Sequence, residues 1–519
     1  MFGNMKFKNI LFIVLILLVT SVCAKNNKTD QPGEISKEGK SELNIVSYGA
    51  VGDGKTLNTE TIQKAIDEIS SKGGGTILFP KGRFLTGSFS LKTGVTLHLD
   101  FNAVIIGSID PFEYIVDNIF MQFINASNAS NIGITGEGTI DGRGRKLALV
   151  IDSMYHAGSW DDPGYNHRRH RPGKRPKLLH FTQSEHILIE GITAKNSASW
   201  VLDFDRCNHL TINKVTVDSD DYWNNDGMDI GDCRNVKITN CYVNAADDGI
   251  CLKSHHAGYL NDSIYIANCT VRSSASAIKF GTASVGGFRN VKIENIYIFD
   301  TFRSAIALES VDGGILENIE ISDITANNTG NAIFIKLGHR NSEGKVGTLK
   351  NVSIKNVLVQ VPFGAPDLNY EIRGPELPFF HNTFPASITG LPGHYVENVS
   401  LENIRVIYPG RANNGYANLP VHRLKDVPEN ESGYPEFSMF GELPSWGFYV
   451  RQVKGLSMKN INLKVLEYDF RPAFVFDDVK DLFLNRIKIE DEKKSESVII
   501  RNVLNIQTDI EQGNIKTVN

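Results

Sequence analysis

Two stretches of this 519-residue chain place acids where chemistry could use them. The first reads Asn224-Asn225-Asp226-Gly227-Met228-Asp229, and the second Asp247-Asp248-Gly249-Ile250-Cys251-Leu252-Lys253. Asp226 and Asp247 are 21 residues apart (247 − 226 = 21). If that interval is close to one turn of a repeating fold, these acids sit on neighbouring rungs of one face. Carboxylates crowded together repel, which raises at least one pKa. Splitting neighbouring acids in this way gives one site both a proton donor and a base. Hydrolysis of a glycosidic bond needs that pair, an acid for the leaving oxygen and a base for water. Two blander readings stay open. Asp-Gly steps are common solvated turns, and oxygen clusters also bind hard cations such as calcium.

The text around the acids supplies the scaffold. From Asn125 onward one short phrase recurs, as in HLTINKVTVDS at His209, NVKITNCYVNA at Asn235, SIYIANCTVRS at Ser263, NVKIENIYIFD at Asn290 and NIEISDITANN at Asn318. Successive phrase starts are 26, 28, 27 and 28 residues apart, the regularity of a solenoid. Each phrase alternates apolar and polar residues, the period of a strand with one buried face. An Asn or Gly between the runs suits a one-residue bend, because both tolerate left-handed backbone angles. Parallel strands stacked at about 4.8 Å then make a β-helix, and crossovers between parallel strands are right-handed. The expected fold is all-β: a single-stranded right-handed parallel β-helix with a short N-terminal capping helix. Asn58 and Thr59 would start that helix, Ile62, Ala65, Ile66 and Ile69 would form its apolar face, and Gly73-Gly74-Gly75 would end it. An immunoglobulin-like sandwich competes but lacks its hairpin turns.

The ends and the composition bound the rest. Lys6 and Lys8, the apolar run Ile10 to Val19 and the small residues near Val22-Cys23-Ala24 read as a cleaved export signal over 1–24. The run is shorter than the roughly 18 residues of a membrane span. A lipoprotein acylated at Cys23 is the alternative. Polar residues 25–40 read as a disordered linker, and 41–519 as the β-helix catalytic domain, secreted or periplasmic. A single core rarely exceeds about 250–300 residues, but repeat units pack only on their neighbours and escape that limit. A net charge of −5 argues against a nucleic-acid partner. No cofactor, metal or membrane partner is expected, and the chain reads as a monomer. Cys207 with Cys233, and Cys241 with Cys269, should occupy equivalent places on adjacent coils, as disulfides or as stacked buried thiols.

The text resembles glycoside hydrolase family 28, the polygalacturonases and rhamnogalacturonan hydrolases. SYGAVGDGKTLNTETIQKAID with GGGTILFP, then RPKLLHF, NSASW, NNDGMDI and DDGICLKS, follow that family's order from about Leu43 to Tyr408. The resemblance implies an inverting glycosidase with Asp247 as general acid and Asp226 and Asp248 handling the water. It also implies departures. Ser276 stands where the family has the His of Gly-His-Gly. Ala307 and Glu309 stand where it has the two cations that grip the substrate carboxylate. The expected substrate is therefore a decorated or rhamnogalacturonan-type glycan rather than plain polygalacturonate.

Other groups could take over substrate contact: Asn224, Lys253, His255, Lys279 and Arg175, with Lys336 further along. Residues 156–177 form a basic insertion with His167, Arg168, Arg169, His170, Arg171 and Lys174, which could steer an acidic glycan. Trp160, Trp200 and Trp223 could stack on sugar rings, with core packing the better reading for Trp200. His256 is a second loop histidine beside the doublet. The long non-repeat stretches 363–393 and 409–447 are expected to wall one end of the groove and give an exo-acting pocket. Two other classes compete. A polysaccharide lyase on the same fold would leave an unsaturated product, and a non-catalytic glycan-binding β-helix would tolerate Asp247→Asn.

Overall fold

Inward-facing branched residues give each phrase its place in the stack. Leu210, Val236, Ile264 and Val291 are all buried and pair rung to rung in parallel. Each fully buried residue of this kind contributes about 1.5–3 kcal/mol from apolar area. The bends between strands carry the expected asparagines in the left-handed region, Asn290, Asn318 and Asn351 at φ of 54°, 58° and 56°. Their side chains form a ladder: Asn318 Nδ2 donates to Asn290 Oδ1 at 3.1 Å, and Asn351 Nδ2 to Asn318 Oδ1 at 3.2 Å. A left-handed backbone angle and an amide that bonds to its own copy one rung away explain why Asn recurs at this place.

The computed structural model describes residues 41–341, 344–370, 377, 379–492 and 496–519. The expected signal over 1–24, the linker over 25–40 and Cys23 lie outside them. Three short strands make a coil in the middle of the chain: Leu202–Asp205 (β1), Asn208–Asn213 and Thr216–Ser219. The next coil starts with Met228–Gly231 (β2). Above it on the same face lie Ile250–Ser254 (β3), Ile278–Ser284 (β4) and Gly287–Ser310 (β5). All these neighbours pair in parallel, as a parallel β-helix requires.

The helix expected after Asn58 forms as Thr59–Ser71 (α1) and buries Ile62, Ala65, Ile66 and Ile69. Its start differs in detail. Asn58 does not cap it; its amide instead bonds Val51, Thr56 and Leu85 of the first coils. A second helix, Gly144–His156 (α2), lies in an interval between phrases and buries Leu147, Ala148 and Ile151. The five cysteines from Cys207 onward are free and buried. Cys207 N donates to Cys233 Sγ at 3.3 Å, so the stacked-thiol reading is the one that holds. No helix among the described residues is long and apolar enough to cross a membrane.

Candidate active site

The register of β2 on β3 decides how the acids meet. Met228 pairs with Ile250, a coil of 22 residues (250 − 228 = 22). Two residues back, Asp226 is level with Asp248, and Gly227 N donates to Asp248 O at 2.8 Å. Asp247 and Asp248 thus both lie one rung from Asp226, as expected; Asp248 is the residue level with it, and Asp247 is level with Asn225. The glycine after each stacked acid is sterically required. A Cβ on Gly227 would meet Val243 Cγ1 at 2.5 Å, and one on Gly249 would meet Val271 Cγ1 at 2.5 Å. Both bends hug the coil wall. Asn225, fully buried, donates to Ser197 O and Ser199 O at 2.9 Å and fixes the first of them.

One oxygen from each of Asp226, Asp247 and Asp248 lies within 4.8 Å of the others. Two buried lysines answer this charge. Lys253 Nζ is 3.3 Å from Asp226 Oδ2 and 3.1 Å from Asp229 Oδ1. Lys279 Nζ is 3.5 Å from Asp248 Oδ2 and 3.7 Å from Glu309 Oε1. Each ammonium is shared between one site acid and one supporting acid. With these cations in place, a divalent metal would meet repulsion, which disfavours the calcium reading.

The three acids are driven apart in proton affinity. For Asp248 the cations Lys279, Lys253 and Arg303, with a hydrogen bond from Ser276 N at 3.1 Å, overcome burial and hold the carboxyl below its usual range. Burial and the adjacent Asp248 push Asp247 up. Burial, Asp229 and Asp247 push Asp226 up against the pull of Lys253. Burial raises Asp229 to about 7 and Glu309 to about 7, each opposed by its lysine. Electrostatics therefore hold the charge most firmly on Asp248 and raise the proton affinity of Asp226 and Asp247. Exposure separates those two. Asp226 is buried against Lys253, whereas Asp247 opens into a cavity.

That cavity has a volume of about 390 Å³, and its walls include Asn224, Trp223, Arg169, Arg303, Tyr434 and Glu436. Asn224 Nδ2 donates to Asp247 Oδ2 at 3.2 Å. Arg303, on β5, pairs with Glu436 at 3.2 Å. The sequence had not singled it out; register could have, since β3, β4 and β5 pair Ile250, Ile278 and Ile306, which puts Arg303 two rungs from Asp247. Arg169 brings the basic insertion to the site, its guanidinium 5.2 Å from the Trp223 ring centroid. Tyr434 and Glu436 belong to the long stretch 409–447, which therefore reaches the acids.

Arg175 is buried and donates to Ala198 O, Trp223 O and Asn224 Oδ1, so it positions Asn224 and lies behind the cavity. Lys253 and Lys279 are bound to the acids themselves. His255 is exposed and stacks at 6.3 Å on Trp200. Trp200 is half-buried and lies 5.0 Å from Lys253 Nζ, so it is not core. Trp160 packs on Phe112 and Phe120. Lys336, expected two coils beyond the doublet, is three rungs from β3 and donates to Glu429 O. His256 bonds Asp205. At the replaced positions, Lys279 pairs with Ala307 across β4 and β5, so the preceding rung supplies a cation beside Ala307.

Fold and site together define a parallel β-helix glycosidase. The chain belongs to glycosyl hydrolases family 28, whose model matches residues 70–362, more than half of the sequence. It is 28% identical over 339 residues to a probable polygalacturonase of Vitis vinifera, covering 61% of this chain and 60% of that protein. It is 26% identical over 434 residues to an exo-poly-alpha-D-galacturonosidase of Dickeya chrysanthemi, covering 70% of this chain and 71% of that one. Among solved structures, a hyperthermoactive exopolygalacturonase from Thermotoga maritima superposes with a TM-score of 0.61 at 22% identity. The match covers 82% of this chain and 92% of that one, and it supports the fold.

Proposed function

We propose that this protein is an exported, exo-acting, inverting hydrolase of galacturonosidic linkages in pectin-type glycans, rhamnogalacturonan or galacturonan. The observation that carries the reading is the split among three clustered aspartates, with only Asp247 opening into the cavity. Asp247 donates its proton to the leaving oxygen. Asp248, held ionised by Lys279, and Asp226 orient and deprotonate the water. Asp226 Oδ1 is buried without a hydrogen-bond donor among the described residues, a place that an ordered water would satisfy. Arg169 and Arg303 suit an acidic sugar. Tyr434 and Glu436 close the cavity from the 409–447 stretch, and the name of the Dickeya relative agrees with exo action. Export rests on Lys6, Lys8 and the Ile10–Val19 run.

The stereochemistry has a second reading. Acid and base in inverting enzymes are usually about 6.5–9.5 Å apart, against about 5–5.5 Å in retaining ones. Here one oxygen from each acid lies within 4.8 Å of the others, a closeness of single oxygens that a retaining arrangement would also give. In that case Asp226 or Asp248 would attack the sugar directly. Proton NMR of the first anomer released from polygalacturonate and rhamnogalacturonan oligomers decides between them, and the same samples test exo action. Inverted monomers released from chain ends support the proposal. Retained configuration, mid-sized fragments at early times, or an ultraviolet-absorbing unsaturated product each overturn its corresponding part.

A further inference from the structure

We infer that a second, aromatic-walled basin beside the Asp247 cavity binds a neutral sugar residue carried by the same glycan; this rests on the hydrolase reading above. The basin has a volume of about 640 Å³, within the range of small-ligand sites. Among the described residues its walls include Phe302, Phe363, Phe380, Tyr416, Phe437 and Arg411.

Position argues for a shared ligand. Arg303 and Glu436 line the Asp247 cavity, while their chain neighbours Phe302 and Phe437 line the basin, with ring centroids 6.4 Å apart. A wall one residue thick thus divides the two chambers. Pairing of β3, β4, β5 and Ile315–Leu337 puts Phe302 about two rungs, and Gly330 three rungs, from Asp247. At about 4.8 Å per rung that is roughly 10–14 Å, a span that a short oligosaccharide bridges.

Chemistry argues for a neutral sugar. Phe380 is 82% exposed and Phe363 65%, large apolar faces that a monomeric surface seldom displays together without a ligand. Phe380 stacks on Tyr416 at 6.0 Å and 22°, a platform on which the C–H face of a pyranose can lie. Arg411 packs 4.8 Å over Phe363, but its guanidinium is paired with Glu467, so its charge is already answered. By contrast the Asp247 cavity carries Arg169 and Arg303 for one acid, Glu436, besides the site aspartate. The acidic sugar belongs there and the neutral one in the basin.

The test uses the full chain carrying Asp247→Asn, so that nothing is cut, and calorimetric binding of tetragalacturonate and of neutral tetrasaccharides of galactose, arabinose and xylose. Phe380→Ala and, separately, Tyr416→Ala are expected to weaken at least one neutral tetrasaccharide about five- to tenfold, the scale of one aromatic contact. Tetragalacturonate affinity should stay unchanged. Failure of every neutral probe to bind, or equal loss for neutral and acidic probes, overturns the basin assignment. Because binding is read without turnover, a basin that responds in a chain whose parent cuts no glycan would sink the hydrolase reading alone. A parent that cuts galacturonan while the aromatic variants bind as before would sink the basin alone.

Discussion

Lys253 Nζ lies 3.3 Å from Asp226 Oδ2, and the same ammonium reaches Asp229 Oδ1 at 3.1 Å, with all three side chains at least nine-tenths buried. Removing this cation leaves two buried carboxylates uncompensated. Breaking a buried ion pair from one side costs about 3–5 kcal/mol. Lys253→Met should therefore lower the thermal midpoint strongly at neutral pH, and Lys253→Met with Asp229→Asn should recover part of the loss. The defect should shrink on acidification, as the stranded acids protonate. Equal melting of parent and Lys253→Met at pH 7 would refute this.

Much of this arrangement was legible in the sequence, and its limits have physical causes. Alternation and the recurring Asn fixed the stacking, because an inward Ile and a left-handed Asn each leave a residue-type signature. The acids stood out because they interrupt that signature. What stays hidden is register to the residue: a spacing close to one coil puts Asp247 and Asp248 both on the rung next to Asp226, and only the 22-residue coil shows that Asp248 is the one level with it. Arg303 leaves no sequence signal because it lies between two phrases of β5, where the pairing register shifts between Thr301 and Ser304, and the supporting place of Arg175 is hidden because its backbone partners Ala198 and Trp223 come from other coils. Helix α2 was overlooked inside an interval between phrases.

Asp247→Asn should lower kcat by about 10²–10⁴-fold, the usual contribution of a general acid. KM should hold, because the amide keeps the shape of the carboxyl and its one oxygen still accepts from either Asn224 Nδ2 or Asp248 N. An aryl galacturonoside whose leaving group needs no proton should lose much less. A loss as large on the aryl substrate as on the oligomer would show that Asp247 does not donate the proton.

Stability should rise as pH falls from about 8 to about 6.5, and because unperturbed histidines titrate near 6.5, the comparison with Glu309→Gln isolates the carboxyl contribution. Asp229 and Glu309 are each raised to about 7 in the fold, above their ordinary carboxyl values. A group raised in this way contributes stability that is complete below its unfolded pKa and is lost as pH rises through its folded pKa. Asp248 has the opposite sign, since its depressed carboxyl contributes stability lost only at strongly acid pH. Glu309→Gln should flatten the slope between pH 8 and 6.5. Thermal melts across that window check it, and a slope unchanged in Glu309→Gln would exclude that carboxyl as a source.

Arg303 should decide how strongly an acidic sugar is held beside Asp247. Hydrogen bonds to charged groups contribute about 1.5–3 kcal/mol, or roughly 10- to 100-fold in kcat/KM at 1.36 kcal/mol per decade. Arg303→Leu should lose that much on galacturonate oligomers. A second readout separates this role from mere packing. Arg303 is among the cations that pull the Asp247 carboxyl down against burial. Without it Asp247 keeps its proton to higher pH, so the alkaline limb of the kcat profile should move upward. Arg303→Lys should restore the position of that limb, since the charge returns, while recovering less of kcat/KM, since the guanidinium fork does not. A fall in kcat/KM with an unmoved alkaline limb would mean that Arg303 only supports Glu436 and the 409–447 wall.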